Sequence, residues 1–165
     1  MPMTVQLSED SVTFRPATNT DKDFMLELYQ SSRGDDLREL GWEESRISEF
    51  LSFQHEAQEQ FHQTDYQDAT DEIVMVEGQA AGRLIVQRLE HEIRCVDLAI
   101  VPAHRSAGLG TLLIRRLQSE ARQLKRPLRL QVIRFSRAVN LFERLGFVRT
   151  SETGTHFQME WRPPR

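Results

Sequence analysis

A single cysteine in 165 residues, Cys95, leaves no way to close a disulfide within the chain, and such usage suits a cytoplasmic setting. Cys95 lies in an apolar stretch and reads as a packing residue rather than a nucleophile. No apolar run approaches the ~20 residues of a membrane span, and the start lacks the basic-then-apolar layout of a signal peptide. No internal repeat or low-complexity tract interrupts the pattern. An excess of basic charge is missing too. The net charge of −4 argues against nucleic acid as a general partner, and no membrane contact is expected. His55 and His62 lie seven apart with no third histidine, cysteine or carboxylate at a recognisable ligand spacing, so no metal is expected. Two familiar phosphate loops are also absent. No Lys follows Gly108 or Gly110, which excludes a P-loop. Gly110 runs into Thr111-Leu112-Leu113, which breaks the Gly-x-Gly-x-x-Gly dinucleotide fingerprint.

What remains is a chain of ordinary globular composition, 39% hydrophobic and 28% charged, of a length that fits one domain over residues 1–165. Its organising stretch is Val96 to Leu117. Val96, Leu98, Ile100 and Val101 read as a buried strand ended by Pro102. Leu109, Leu112, Leu113, Leu117, Ala121 and Leu124 recur at helical spacing. Between them, Arg105-Ser106-Ala107-Gly108-Leu109-Gly110-Thr111 is a small-residue turn at the positive end of a helix dipole. Several backbone N–H groups can converge there on an anion, most simply a phosphate.

Elsewhere, residues 1–10 read as a loose lead-in, and Val12 to Arg15 as a short strand closed by Pro16. Thr20 and Asp23 mark a helix start with Phe24, Met25, Leu28 and Tyr29 on its stripe. Ser31 to Gly41 then reads as a polar loop. A second helix is expected from about Glu43 to His62, burying Ile47, Phe50, Leu51, Ala57 and Phe61. Glu72–Glu77 and Ala81–Val86 are strands joined at Gly78-Gln79. Strand, helix and Leu128–Val132 make a βαβ unit with parallel strands. A last helix carries Ala138, Leu141, Phe142 and Leu145, capped at Gly146, and two strands close the chain. The fold class is α/β, a mixed sheet of seven strands with four helices in the order β-α-α-β-β-β-α-β-α-β-β. Charge is divided along the chain: residues 1–72 hold 17 acidic and 5 basic side chains, and residues 73–165 hold 8 and 16. That division suits an anionic cofactor and a cationic substrate, or simply two solvated faces.

The order of elements, Val12-Thr13-Phe14-Arg15-Pro16-Ala17-Thr18, Pro102 before the Arg105–Gly110 turn, and Leu141-Phe142-Glu143-Arg144-Leu145-Gly146-Phe147 together resemble the GNAT superfamily of acyl-CoA-dependent N-acetyltransferases. The resemblance spans nearly the whole chain. It implies acetyl-CoA as cosubstrate, lying along the split between the strand ending at Ile100 and the strand starting near Leu128. Leu98, Ala99 and Ile100 would offer backbone groups to the pantetheine arm, and Arg105, Ser106, Ala107, Gly108, Leu109, Gly110 and Thr111 would hold the pyrophosphate. Ser136 matches a position where many relatives have Asn against the cofactor arm, and Phe142 borders the same path. Two departures stand out. Phe142 occupies the place of a Tyr that protonates the departing thiolate, and Gln131 that of a Glu base. Asp97, in the central strand, is the candidate base, because burial raises a carboxylate toward the working range. Ser136 or water is the candidate proton source for the thiolate. Glu72 and the acidic run Asp35-Asp36-Glu39 are weaker candidates.

The expected activity is transfer of acetyl from acetyl-CoA to a primary amine by direct attack. The alternative is a binding or sensor module of the same fold that has lost transfer. The acidic half suits a cationic small-molecule or peptide acceptor. The end Trp161-Arg162-Pro163-Pro164-Arg165 would either extend an edge strand toward a homodimer or fray.

Overall fold

A computed structural model describes residues 7–105 and 107–165, the Asp36 side chain excepted. Its elements are β1 (Val12–Pro16), α1 (Lys22–Glu39), α2 (Glu44–Asp65), β2 (Thr70–Val76), β3 (Gln79–Arg88), β4 (Ile93–Ile100), α3 (Leu109–Leu124), β5 (Leu128–Ile133), α4 (Ala138–Arg144), β6 (Val148–Glu152) and β7 (His156–Trp161). The seven strands form one sheet in the order β1-β2-β3-β4-β5-β7-β6. The expected class, order and strand count hold. Every neighbouring pair is antiparallel except β4 and β5, which α3 joins in parallel as the βαβ reading requires.

Alternation along the strands sends side chains to two layers. On one face Val74, Leu84, Cys95, Leu130 and Met159 join Leu113, Ile114 and Leu117 of α3 and Phe142 of α4 in the main core. Ile73 and Ile85 are buried but stand outside that cluster, as do Met25 and Leu28 of α1 and Ile47 and Leu51 of α2. The second layer therefore lies under α1 and α2.

Several expectations need correction. The start of α1 is set by Thr18 and Asp21, not by Thr20 and Asp23. The two residues make a capping box ahead of a short 3-10 turn, and Arg15 pairs with Asp21 at 2.7 Å. Hydrogen bonds from Arg15, opposed by burial, hold the Asp21 carboxyl down to about 2. The polar stretch after Tyr29 is not a loop either: α1 continues to Glu39. The Ser31 and Ser32 hydroxyls donate back to the Leu28 carbonyl at 2.9 Å, and Arg38 ties Asp35 to Glu44 at the start of α2. These tertiary links outweigh the weak helix propensity of Ser-Ser-Arg-Gly-Asp-Asp.

α2 also buries a different face from the one expected. Ile47 and Leu51 are buried, but Phe61 is 53% exposed, and Phe50 and Ala57 face solvent. The inward positions after Leu51 are His55, Gln58, Glu59 and His62. On α3, Leu124 at the end of the stripe is exposed. The β2–β3 turn falls on Glu77-Gly78, both at positive φ, one residue earlier than expected. Trp161 pairs with Leu128 inside the sheet, with β6 as the edge beyond it, so the chain end follows an inner strand and does not extend an edge. Within the expected lead-in, residues 1–6 lie outside the described residues, and Glu9–Ser11 form a 3-10 turn.

One irregularity governs the site. Ile85 pairs with Asp97 but Val86 with Cys95, so Val96 is an extra residue in β4. Such a bulge bends its strand. Pairing between β4 and β5 accordingly ends at Cys95 and Leu130, and beyond that point the two strands part. Gly82 of β3 keeps the far end of β4 close, since a Cβ there would lie 2.5 Å from the Ala99 carbonyl oxygen.

Candidate active site

Where β4 and β5 part, a cavity of about 330 Å³ passes between the layers. Leu130, Val132, Ser136 and Phe142 line one side, and Tyr29, His55, His62 and Arg83 line the other. Asp97, Leu98 and Ala99 form the edge between them. The bulge sets which way Asp97 faces. Paired with Ile85, it shares the α1/α2 side of the sheet, while Leu98 packs toward the main core.

Asp97 has no ion-pair partner among the described residues. Burial pushes its carboxyl up, and the nearby charges of Arg83, Arg33 and His62 act in the opposite direction. Arg83, only 4% exposed, makes a buried clamp. Its Nε and Nη2 donate to Asp71 at 2.9 and 2.6 Å, while Nη1 and Nη2 hold Glu59 of α2. Burial works against the charge on Glu59, yet His55 and Arg83 outweigh it and hold the carboxyl down to about 2. Two of the acids near the cavity are thus neutralised by one arginine, and Asp97 is not. Cys95 is buried beneath the site, its thiol pushed up to about 12 by burial and then by Asp97, which fits packing rather than nucleophilic use.

The turn before α3 lies at the C-terminal end of β4. Gly108 has φ +86° at the helix N-cap, a conformation that favours glycine. The first helical bond runs from the Leu112 N–H to the Gly108 carbonyl, and no described carbonyl accepts from the N–H groups of Gly108 to Thr111. Leu109 is fully buried and anchors the turn. Gly110 fits between Leu141 and Ile100, whose side-chain atoms lie 3.3 and 3.4 Å from where a Cβ would stand. Ala107 and Thr111 are partly exposed at the turn, and Ser106 lies outside the described residues.

Arg105 does not point out at a ligand. Its Nε donates to the Ile100 carbonyl at 2.9 Å and its Nη2 to the Ser31 hydroxyl at 3.2 Å, tying the turn to α1. The Ile100 carbonyl is therefore already engaged, and Leu98 and Ala99 are the members of that trio on the cavity. Ser136 lines the cavity and its Oγ accepts the Ala138 N–H at 3.1 Å, which leaves the hydroxyl proton free to donate. Phe142 is buried, its ring 5.5 Å from that of Phe147. Gln131 lines the cavity, whereas Glu72, Asp35 and Glu39 do not.

A model of the GNAT acetyltransferase domain matches residues 36–162. The chain belongs to the GNAT acetyltransferase family. No curated protein matches it by sequence. Solved GNAT structures share its fold at low identity. The PaiA N-acetyltransferase of Thermoplasma acidophilum, in complex with coenzyme A, aligns with a TM-score of 0.70 at 15% identity, covering 92% of this chain and 99% of that one. Ard1 of Thermoplasma volcanium gives 0.62 at 17%, covering 94% and 99%. The ribosomal-protein-S18-alanine N-acetyltransferase of Escherichia coli gives 0.61 at 17%, covering 93% and 95%. In this GNAT chain the cavity-lining residues that sequence reading did not assign to the site are Tyr29, Arg33, His55, His62 and Arg83, with Glu59 paired to Arg83 behind them. Part of that signal was visible as His55, Glu59 and His62 at i, i+4 and i+7 on α2. Among the described residues no group of three His, Cys, Asp or Glu is placed to hold a metal ion, and no helix is long and apolar enough to cross a membrane.

Proposed function

We propose that this GNAT chain acts as one domain that moves an acetyl group from acetyl-CoA to a primary amine. The observation that carries this reading is the parting of β4 and β5, with Asp97, which has no ion-pair partner among the described residues, at its edge and, at the strand's end, a turn whose amides meet no acceptor among the described residues. The coenzyme A complex of a structural neighbour supports the choice of cosubstrate. The diphosphate sits on the amides of Gly108 to Thr111, the pantetheine arm follows β4 past Leu98 and Ala99, and the thioester lies in the cavity beside Phe142. The amine enters from the side of α1 and α2.

Asp97 accepts a proton from the ammonium form of the acceptor, and the lone pair so freed attacks the thioester carbonyl carbon. A backbone N–H near the end of β4 holds the oxyanion of the tetrahedral intermediate. The intermediate collapses with cleavage of the carbon–sulfur bond, and its nitrogen releases a second proton as the amide forms. With a thiol pKa of ~8.5, releasing thiolate near neutral pH costs about 2 kcal/mol in proton terms, so Phe142 in place of an acid is tolerable. The Ser136 hydroxyl, relayed to water, supplies the proton. A cationic acceptor suits a cavity bordered by Asp97, a carboxylate with no ion-pair partner among the described residues.

Calorimetry with coenzyme A, followed by thiol release from acetyl-CoA across an amine panel, tests the reading. Saturable binding with amine-dependent thiol release is the expected result. Binding without release would favour the binding-module alternative that Gln131 and Phe142 suggest, and no binding removes both.

A further inference from the structure

The inward polar stripe of α2 is unused by the mechanism above, and it ends at His62. This side chain lines the cavity that Asp97 borders. Its Nδ1 is shut off from solvent with no hydrogen-bond partner among the described residues. The ring packs edge-on against Tyr66, centroids 6.0 Å apart, so it is held in place by stacking rather than by polar contacts. A buried, unpaired Nδ1 costs free energy in the resting protein, and it leaves Nε2 as the ring nitrogen by which His62 can take a proton from the cavity.

The stoichiometry of the reaction calls for such a group. An ammonium nitrogen sheds two protons on becoming an amide, one before it attacks and one from the tetrahedral intermediate. One of the two ends on the coenzyme A thiolate and the other leaves to solvent. A single carboxylate must discharge the first before it can accept the second. Two adjacent acceptors remove that delay.

Resting on the acetyl-transfer reading, we propose that His62 and Asp97 form a pair of proton acceptors on the amine side of the cavity, His62 taking one of the two protons and Asp97 the other. The charged groups bearing on His62 are Asp97 from β4, Asp71 from β2, Arg83 from β3 and Glu59 from α2 itself, with Tyr29 and Arg33 of α1 on the same cavity. Because Arg83 is shared between Glu59 and Asp71, Asp97 is the unneutralised neighbour. Burial pushes the imidazole below its ordinary range and Asp97 draws it back up, so it is neutral and able to accept at pH 7.

Two measurements test the pair. The first is a side-chain ¹⁵N NMR titration of the five histidines, with His62 assigned by the signal lost in His62→Gln. His62 is expected to titrate below an ordinary histidine and to move lower still in Asp97→Asn. An ordinary titration that ignores Asp97→Asn overturns the pairing, whether or not the protein proves to be an active transferase. The second is the pH profile of kcat/KM. His62→Gln is expected to lose about 100-fold at pH 7 with coenzyme A affinity unchanged. That loss shrinks as rising pH deprotonates the amine in solution, and added imidazole restores part of the activity to His62→Ala. A loss constant across pH and blind to imidazole assigns His62 a structural role and overturns the proposal. Absence of thiol release from the wild-type protein rejects acetyl transfer itself, and the titration alone then decides the pairing.

Discussion

At the scale of single residues, Asp97 is distinguished from Glu59 and Asp71 by having no ion-pair partner among the described residues. Its position follows from one inserted residue, Val96, which turns the carboxylate to the side where α1 and α2 bring polar groups. Asp97→Asn keeps the shape and the hydrogen-bonding capacity but cannot accept a proton. Turnover should fall about 100-fold while coenzyme A binds as before, and steady-state kinetics beside calorimetry checks both halves. Because burial pushes the Asp97 carboxyl up, the wild-type rate should fall on the acid side at a pH above that of an ordinary aspartate. The residue beneath it behaves oppositely. Cys95 is sealed in the core with its thiol pushed up to about 12, so alkylating reagents should leave the folded protein untouched and label it once unfolded. Mass spectrometry reads this directly, and labelling of the native form would show that the core opens.

At the scale of elements, the site is made by two backbone devices that a side-chain pattern does not display. Gly82 lets β3 and β4 approach closely, and Gly108 lets the turn into α3 adopt positive φ. Gly108→Val strains that turn and places a branched side chain at the proposed diphosphate site. Coenzyme A should then lose its stabilising effect on thermal unfolding, which differential scanning fluorimetry follows; an unchanged shift would falsify the phosphate role of the turn. The order of elements along the chain, the parallel pair and α3 were legible because apolar residues at period two and near four, punctuated by Pro102 and Gly108, carry that information locally. The continuation of α1 was not, since Ser31, Ser32 and Gly34 speak against a helix until Arg105 and Glu44 arrive from elsewhere in the chain. The outward turn of Phe50 and Phe61 escaped for a related reason. Apolar residues are expected inside, yet here the inward positions are taken by His55, Glu59 and His62, whose partners on β2, β3 and β4 are distant in sequence.

At the scale of the whole molecule, Arg83 joins the layers. It stands in β3, reaches Asp71 in the adjacent strand, and fastens α2 to the sheet through Glu59. No local pattern in the sequence announces this, because a lone arginine in a strand acquires its meaning only when three elements meet. Breaking such a clamp from one side leaves a buried charge short of a partner, a loss of about 3–5 kcal/mol in comparable cases. Glu59→Gln should therefore lower the melting temperature, and the size of the effect should depend on pH. The folded carboxyl sits near about 2 against an ordinary value of 4.5, so the unfolded chain binds the proton more readily. Stability from this group is complete above pH 4.5 and drains away as pH falls toward 2. Melting curves of wild type and Glu59→Gln should differ most near neutral pH and converge through that acid window. Since α2 carries His62 as well, loosening the clamp should also lower turnover without touching the turn at Gly108, so coenzyme A affinity is expected to survive. A variant that loses cofactor affinity and amine turnover together would mean that α2 and the sheet shape both halves of the cleft.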